Sequence, residues 1–218
     1  MATTSGGSIL GGYRGKVGTV TLSTWMSIET MRSNVGRKKK LPSEKQLIQI
    51  GIMKLVSSFL SSLLGVINIG YQQPKYPEMT KMNAAVKYHI KNALVGDEKN
   101  RFFDLSKIKL SKPIRSTQSA WNPVVEFNAD RTIKVSWELN PYPLKSTQLD
   151  DIVILVFYHK ELDRFDMRWE IRRDDLTFTY TSFTNTVGHE VCCYMLITSA
   201  DKKLVSETKY LGMGTVMA

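Results

Sequence analysis

The sequence predicts an α+β, two-domain protein: an N-terminal β-hairpin plus two-helix unit over residues 1–112, a linker at 113–122, and a C-terminal seven-stranded antiparallel β-sandwich over residues 123–218. Three observations predict it. The stretch Ser43–Tyr71 has the signals of a helix and carries no charged side chain between Lys54 and Lys75. Beyond Asn122, apolar and polar residues alternate in short runs separated by turn residues, the pattern of half-buried strands. Charge divides the same way: residues 1–110 hold 17 Lys and Arg against 6 Asp and Glu, and residues 111–218 hold 13 against 14. The formal charge of +10 therefore sits in the first half, which suits nucleic acid, an anionic membrane or an acidic protein surface as partner.

The first fifteen residues are small and glycine-rich. They lack the basic segment and apolar core of a secretion signal, and Ala2 excludes the myristoylation pattern, so the expected location is the cytoplasm or a particle released from the cell. From Lys16 to Arg32 the residues alternate as in a strand or hairpin, with Gly15 and Gly18 marking a bulge or a close backbone approach. Gly15-Lys16 does not open a phosphate loop, because Val17 stands where Ser or Thr is needed and Leu10 where the first glycine belongs. Tyr13 and Arg14 between glycines make a single RGG-like copy, too little to specify RNA binding.

Arg37, Lys38, Lys39 and Lys40 form the densest charge cluster. It reads as a solvated basic loop before a helix, or as a contact to phosphate or to an acidic neighbour; with no aromatic residue interleaved, base stacking is not implied. Pro42 and the capping-box pair Ser43 and Gln46 start the first helix. Its apolar residues fall in two sets, Ile48, Ile52, Leu55, Phe59, Leu63, Val66 and Met53, Val56, Leu60, Leu64, Ile67. Together they cover more than one stripe, which predicts burial on several sides. Ser57, Ser58, Ser61, Ser62, Gly65 and Asn68 dilute the run, so insertion into a membrane is disfavoured. The pairs Ser57/Ser61 and Ser61/Gly65 are small residues at i, i+4 that permit close helix approach. With Ile50 and Ile52 they make the candidate contact between copies.

A second helix is expected from Met79 to Val95, entered at Thr80 and ended by Gly96. Its stripe is Met79, Met82, Val86, Ile90 and Ala93, and His89 on that stripe reads as an interior histidine. Lys87 and Lys91, one turn apart, form a solvated face or a phosphate contact. Phe103 to Lys112 reads as extended, and the polar stretch Ser111–Asn122 around Pro113 as the linker. Seven strands follow: Val124–Phe127, Ile133–Leu139, Ile152–Tyr158, Phe165–Ile171, Leu176–Tyr180, Val191–Thr198 and Val205–Leu211. The unbroken apolar run Ile152–Tyr158 predicts a central strand.

Trp137 on the second of these strands, and Tyr194 with Ala200 six residues later, resemble the pattern of fibronectin type III domains. That resemblance implies an immunoglobulin-like sandwich that binds or spaces other molecules. Gly15-Lys16-Val17-Gly18, Trp25, Arg32-Ser33, Gln46-Leu47, Asn68-Ile69-Gly70, Asn83-Ala84-Ala85-Val86 and Lys91-Asn92-Ala93 are similar to an uncharacterised domain family common in Bacteroidota genomes, which brings no established activity with it. Ile50 and Ile52 stand where basic residues are expected from that resemblance, favouring protein contact over nucleic acid on that face.

The sequence lacks the recurrent patterns of catalysis and cofactor binding. His89, His159 and His189 lie in no HExxH or other metal-ligand spacing, and CxxC, GxSxG and kinase signatures are missing. The adjacent Cys192 and Cys193 point to opposite faces of a strand and cannot form an ordinary disulfide. Asp150/Asp151 and Asp174/Asp175 read as solvated loop carboxylates, or as a weak calcium site between loops. The expectation is a non-enzymatic structural subunit, without cofactor, metal or small-molecule substrate, that associates with itself through its N-terminal half. It would build a shell, tube or filament, including one of phage origin, and display the sandwich. The alternatives are nucleic-acid binding through the basic half and recognition of a protein or glycan by sandwich loops.

Overall fold

The computed structural model describes residues 3–4, 13–25, 28–33, 41–73, 79–97 and 100–218. Strands β1 (Thr3–Thr4), β2 (Tyr13–Val17), β3 (Val20–Trp25) and β4 (Ile28–Ser33) pair in chain order as an antiparallel meander. Helices α1 (Glu44–Ser61), α2 (Leu64–Gly70) and α3 (Lys81–Asn92) follow, then a small hairpin of β5 (Leu94–Gly96) and β6 (Arg101–Phe103). Strands β7 (Trp121–Phe127), β8 (Thr132–Glu138), β9 (Ile152–His159), β10 (Arg164–Arg172), β11 (Thr177–Thr181), β12 (Glu190–Thr198) and β13 (Lys209–Thr215) complete the chain. They form one antiparallel sheet in the order β11-β8-β7 and another in the order β10-β9-β12-β13.

The capping box opens α1 as expected: Gln46 N–H donates to Ser43 Oγ, and Ser43 N–H to Gln46 Oε1 at 2.9 Å. The single helix expected from Ser43 to Tyr71 is broken, however. α1 ends at Ser61, and α2 leaves at 86° to it. Leu63 occupies the corner and is fully buried, so the bend carries the apolar run from one side of the core to another. Among the described residues no single helix is long and apolar enough to cross a membrane. α3 is capped by Thr80, whose Oγ1 accepts from Asn83 N–H at 3.1 Å. It stops at Asn92 instead of Val95, because Leu94–Gly96 pairs with Arg101–Phe103. Gly96 serves that turn, with φ of 98° and no room for a Cβ against the Asn100 carbonyl.

β9 and β12 are the middle of the molecule. Ile154, Val156 and Tyr158 of β9, with Cys192, Tyr194 and Leu196 of β12, join Val56, Phe59, Leu60, Leu63, Val66 and Ile67 of the helical segment in one buried cluster. The alternate residues, Val153, Leu155, Phe157, Val191, Cys193, Met195 and Ile197, join Ile133, Val135 and Trp137 of β8 in a second. The layers are thus helices, four-stranded sheet and three-stranded sheet, with the middle sheet buried on both faces.

Residues 113–122, expected as the linker, are anchored to the rest of the chain. Thr117 and Ala120 are buried, and Gln72 Oε1 accepts from the backbone N–H of Ile114 at 2.8 Å and of Arg115 at 2.7 Å. Just upstream, the Leu110 and Ser111 N–H groups donate to Thr208 Oγ1. The last strand also starts later than expected, at Lys209 instead of Val205. Val205 is bridged to Thr198 and exchanges backbone bonds with Arg115 and Thr117, and Ser206 Oγ accepts from Ile197 N–H at 2.8 Å.

Candidate functional site

α1 presents two faces. Ile52, Val56, Phe59 and Leu60 point into the core, and Ile52 is 5% exposed. On the other side Leu47, Ile50 and Met53 are about half exposed, at 55%, 56% and 48%. Of the candidate contact residues, Ile50 and Ser61 lie on this outer side, with Ser57 half-buried beside them. The serine hydroxyls are spent within the helix: Ser57 Oγ donates to the Met53 carbonyl and Ser61 Oγ to the Ser58 carbonyl, each at 2.6 Å. Ile52 is taken up by the chain's own core. Gly65 faces Trp169 of β10, whose ring would lie 3.3 Å from an added Cβ, so this glycine admits a residue of its own chain.

The meander contributes no buried side chain among the described residues. Across Arg14–Thr24 and Glu29–Ser33, the side chains whose exposure is described are half-buried or exposed, including Val17 at 54% and Met31 at 64%. The cluster Arg37, Lys38, Lys39 and Lys40 lies outside the described residues. Lys87 and Lys91 are exposed on α3 and make no ion pair among the described residues.

A cavity of about 400 Å³ opens between α1, β6 and the β9–β10 turn. Leu55, Phe59, Phe102, Phe103, Leu105 and Tyr158 supply its apolar wall, with Ser58, Arg101, Lys160 and Asp163 at its polar positions. Its floor is an aromatic cluster in which Phe59 stacks on Phe103 with centroids 4.2 Å apart, and Tyr158 stacks on Phe165 at 4.5 Å. Two of the three charges are engaged. Lys160 Nζ donates to Glu190 Oε2 at 2.6 Å, and Asp163 Oδ1 accepts from the Tyr158 hydroxyl at 2.9 Å. Arg101 differs: its Nε is buried and has no hydrogen-bond partner among the described residues. Sequence reasoning missed this site, because Phe102-Phe103 after Arg101 reads only as apolar residues near a strand.

The remaining polar clusters are inward structural features. His89 is fully buried in α3; its Nδ1 bonds the Ala85 carbonyl at 2.8 Å and its Nε2 accepts from Lys109 N–H at 3.3 Å, as an interior histidine should. Asp151 departs from the expected solvated carboxylate. It is fully buried and paired with Arg173 at 2.9 Å, while Asp175 Oδ2 accepts from Arg172 N–H. In another buried group the Tyr180 hydroxyl donates to Asp166 Oδ2 at 2.7 Å, with His159 Nε2 3.2 Å from both. Burial pushes the Cys192 thiol up to about 11 and that of Cys193 further, so neither is a ready nucleophile. Among the described residues no group of three or more His, Cys, Asp or Glu could hold a metal ion.

A family model described as a family of unknown function, DUF6266, matches residues 12–212. No curated protein matches the chain. Similar solved structures include one described as a myokine, 12% identical over 47% of this chain and 100% of that one, with a TM-score of 0.37. Another is the fibronectin type III domain of human collagen alpha-1(XX), 12% identical over 47% of this chain and 88% of that one, with a TM-score of 0.36.

Proposed function

The chain belongs to that family of unknown function, and we propose that it is a non-enzymatic structural subunit that associates with copies of itself through its N-terminal half. The observation that carries this reading is the outer face of α1. Leu47, Ile50 and Met53, at i, i+3 and i+6, are exposed apolar residues outside the side that α1 buries through Ile52, Val56, Phe59 and Leu60. The meander, with half-buried and exposed side chains and an edge strand at β4, adds a pairing surface to the same half. On this reading a repeating assembly such as a shell, tube or filament carries strands β7–β13 outward as a seven-stranded sandwich of the fibronectin type III kind. Light scattering coupled to size exclusion tests it: the expected result is a species larger than one chain, and a monodisperse monomer at high concentration would overturn it.

A second reading rests on Lys87 and Lys91, exposed one turn apart on α3 in the basic half of the chain. There the protein binds nucleic acid through phosphate contacts, and affinity falls steeply as salt rises. No retardation of a DNA or RNA fragment at low ionic strength would remove it.

A further inference from the structure

Beyond self-association, we infer that the cavity beside α1 is a binding site for a small amphipathic monoanion, a carboxylate with an apolar body. Its volume of about 400 Å³ falls in the range of small-molecule sites. The wall is the kind that desolvates hydrocarbon or an aromatic ring: Leu55, Phe59, Phe102, Phe103, Leu105 and Tyr158. Phe102 is 63% exposed, a cost that a ligand lying against it would relieve.

Charge selects the sign of the ligand. Lys160 is paired with Glu190, and Asp163 keeps its charge while accepting from the Tyr158 hydroxyl; Arg101 is the lining cation without a carboxylate partner among the described residues. Its Nε is buried and donates to nothing among the described residues, so this guanidinium has hydrogen-bonding capacity that the described chain does not use. A carboxylate matches the planar fork of a guanidinium with two parallel hydrogen bonds, and in a wall this apolar the pairing is strengthened by exclusion of water. A neutral apolar ligand would leave the guanidinium unpaired, and a cation placed against it would be repelled.

The test is calorimetric titration of the full chain with decanoate and with 2-naphthoate, using decyltrimethylammonium as the cationic control. The expected result is saturable binding of at least one carboxylate at one site per chain, with no saturable binding of the ammonium. Arg101→Gln should weaken the carboxylate about tenfold or more, the loss expected for a charge-assisted hydrogen bond. Ser58→Trp, which fills the cavity from the exposed side of α1, should abolish binding while circular dichroism stays that of the wild type. No saturable binding of either carboxylate overturns the inference. So does equal affinity for the ammonium, or undiminished affinity in folded Arg101→Gln or Ser58→Trp.

Discussion

Arg173 holds Asp151 through two nitrogens on one carboxylate oxygen, with Nη2 at 2.9 Å and Nε at 3.2 Å from Oδ2. Both residues are buried, and the pair ties four segments together. Arg173 Nη2 also donates to the Gln118 carbonyl, its own carbonyl accepts from the Trp137 indole at 2.8 Å, and Thr117 Oγ1 donates to Asp151 Oδ2. Removing one partner strands the other in the interior. Asp151→Asn or Arg173→Met should therefore cost about 3–5 kcal/mol, and the double variant less than the sum of the two. Urea unfolding monitored by tryptophan fluorescence measures each.

Gly70 closes α2 where the chain runs back against Leu110. A Cβ there would strike the Leu110 carbonyl, and the Gly70 carbonyl itself accepts from Lys112 N–H at 3.0 Å. Gly70→Ala should destabilise by about 1–3 kcal/mol through forced separation of the two backbones. Gly51→Ala is the control: an added Cβ meets nothing within 4 Å, and the substitution should be neutral or slightly stabilising by helix propensity.

The outer face of α1 makes opposite predictions for neighbouring residues. Ile50→Lys and Met53→Lys should abolish the proposed self-association while changing monomer stability by no more than about 0.5 kcal/mol, since both side chains are exposed. Val56→Lys, placed on the fully buried side, should prevent folding. Sedimentation velocity and thermal melts on the three variants separate the faces.

Stability should fall on mild acidification. Burial holds the pKa of His89 below its usual value of 6.5, against a smaller opposing effect of its bond to Ala85, and burial also lowers that of His159. The unfolded chain takes up protons below about 6.5 that the folded rings refuse, so the stabilisation is complete above that pH. It is lost as pH falls toward the folded values. Each histidine contributes a slope of up to about 1.4 kcal/mol per pH unit. Urea midpoints between pH 7.5 and 5 should decline, and more gently in His89→Gln.

The thiols give a rapid check on the packing of β12. With Cys192 raised to about 11 by burial and Cys193 fully enclosed, neither should react with a disulfide reagent at pH 8 until denaturant is added, when two equivalents appear.

Local chemistry was legible in the sequence, and the way layers share a sheet was not. Ser43 with Gln46, Thr80, and the alternation through Ile133, Val135 and Trp137 act within a few residues, and the structure uses them as read. The bend at Leu63 is different: Ser61, Ser62 and Gly65 weaken a helix without saying where it turns, and the packing of Leu60, Leu63, Val66 and Ile67 with β9 and β12 involves residues far along the chain. One signal was available. Ile152–Tyr158 and Val191–Ile197 are apolar at successive positions, which requires cover on both faces, whereas a two-layer sandwich alone would leave one face wet. Tyr194 shows the same lesson. The resemblance groups it with Trp137, yet its hydroxyl donates to the Leu105 carbonyl at 2.8 Å on the helical side, while Trp137 lies in the other cluster. Arg101 carried no pattern at all, because a cavity is made by three distant segments meeting.

The doubly covered middle sheet also decides how this architecture can be inherited. An ordinary sandwich module can be cut from one protein and spliced into another, since its outer surfaces already tolerate water. Here the outer surface of β9 and β12 is Ile154, Val156, Tyr158, Cys192, Tyr194 and Leu196, and its lid is encoded some hundred residues upstream. Recombination that carried off strands β7–β13 alone would deliver a sticky, unroofed sheet, so helices and strands are bound to travel as a single unit of descent.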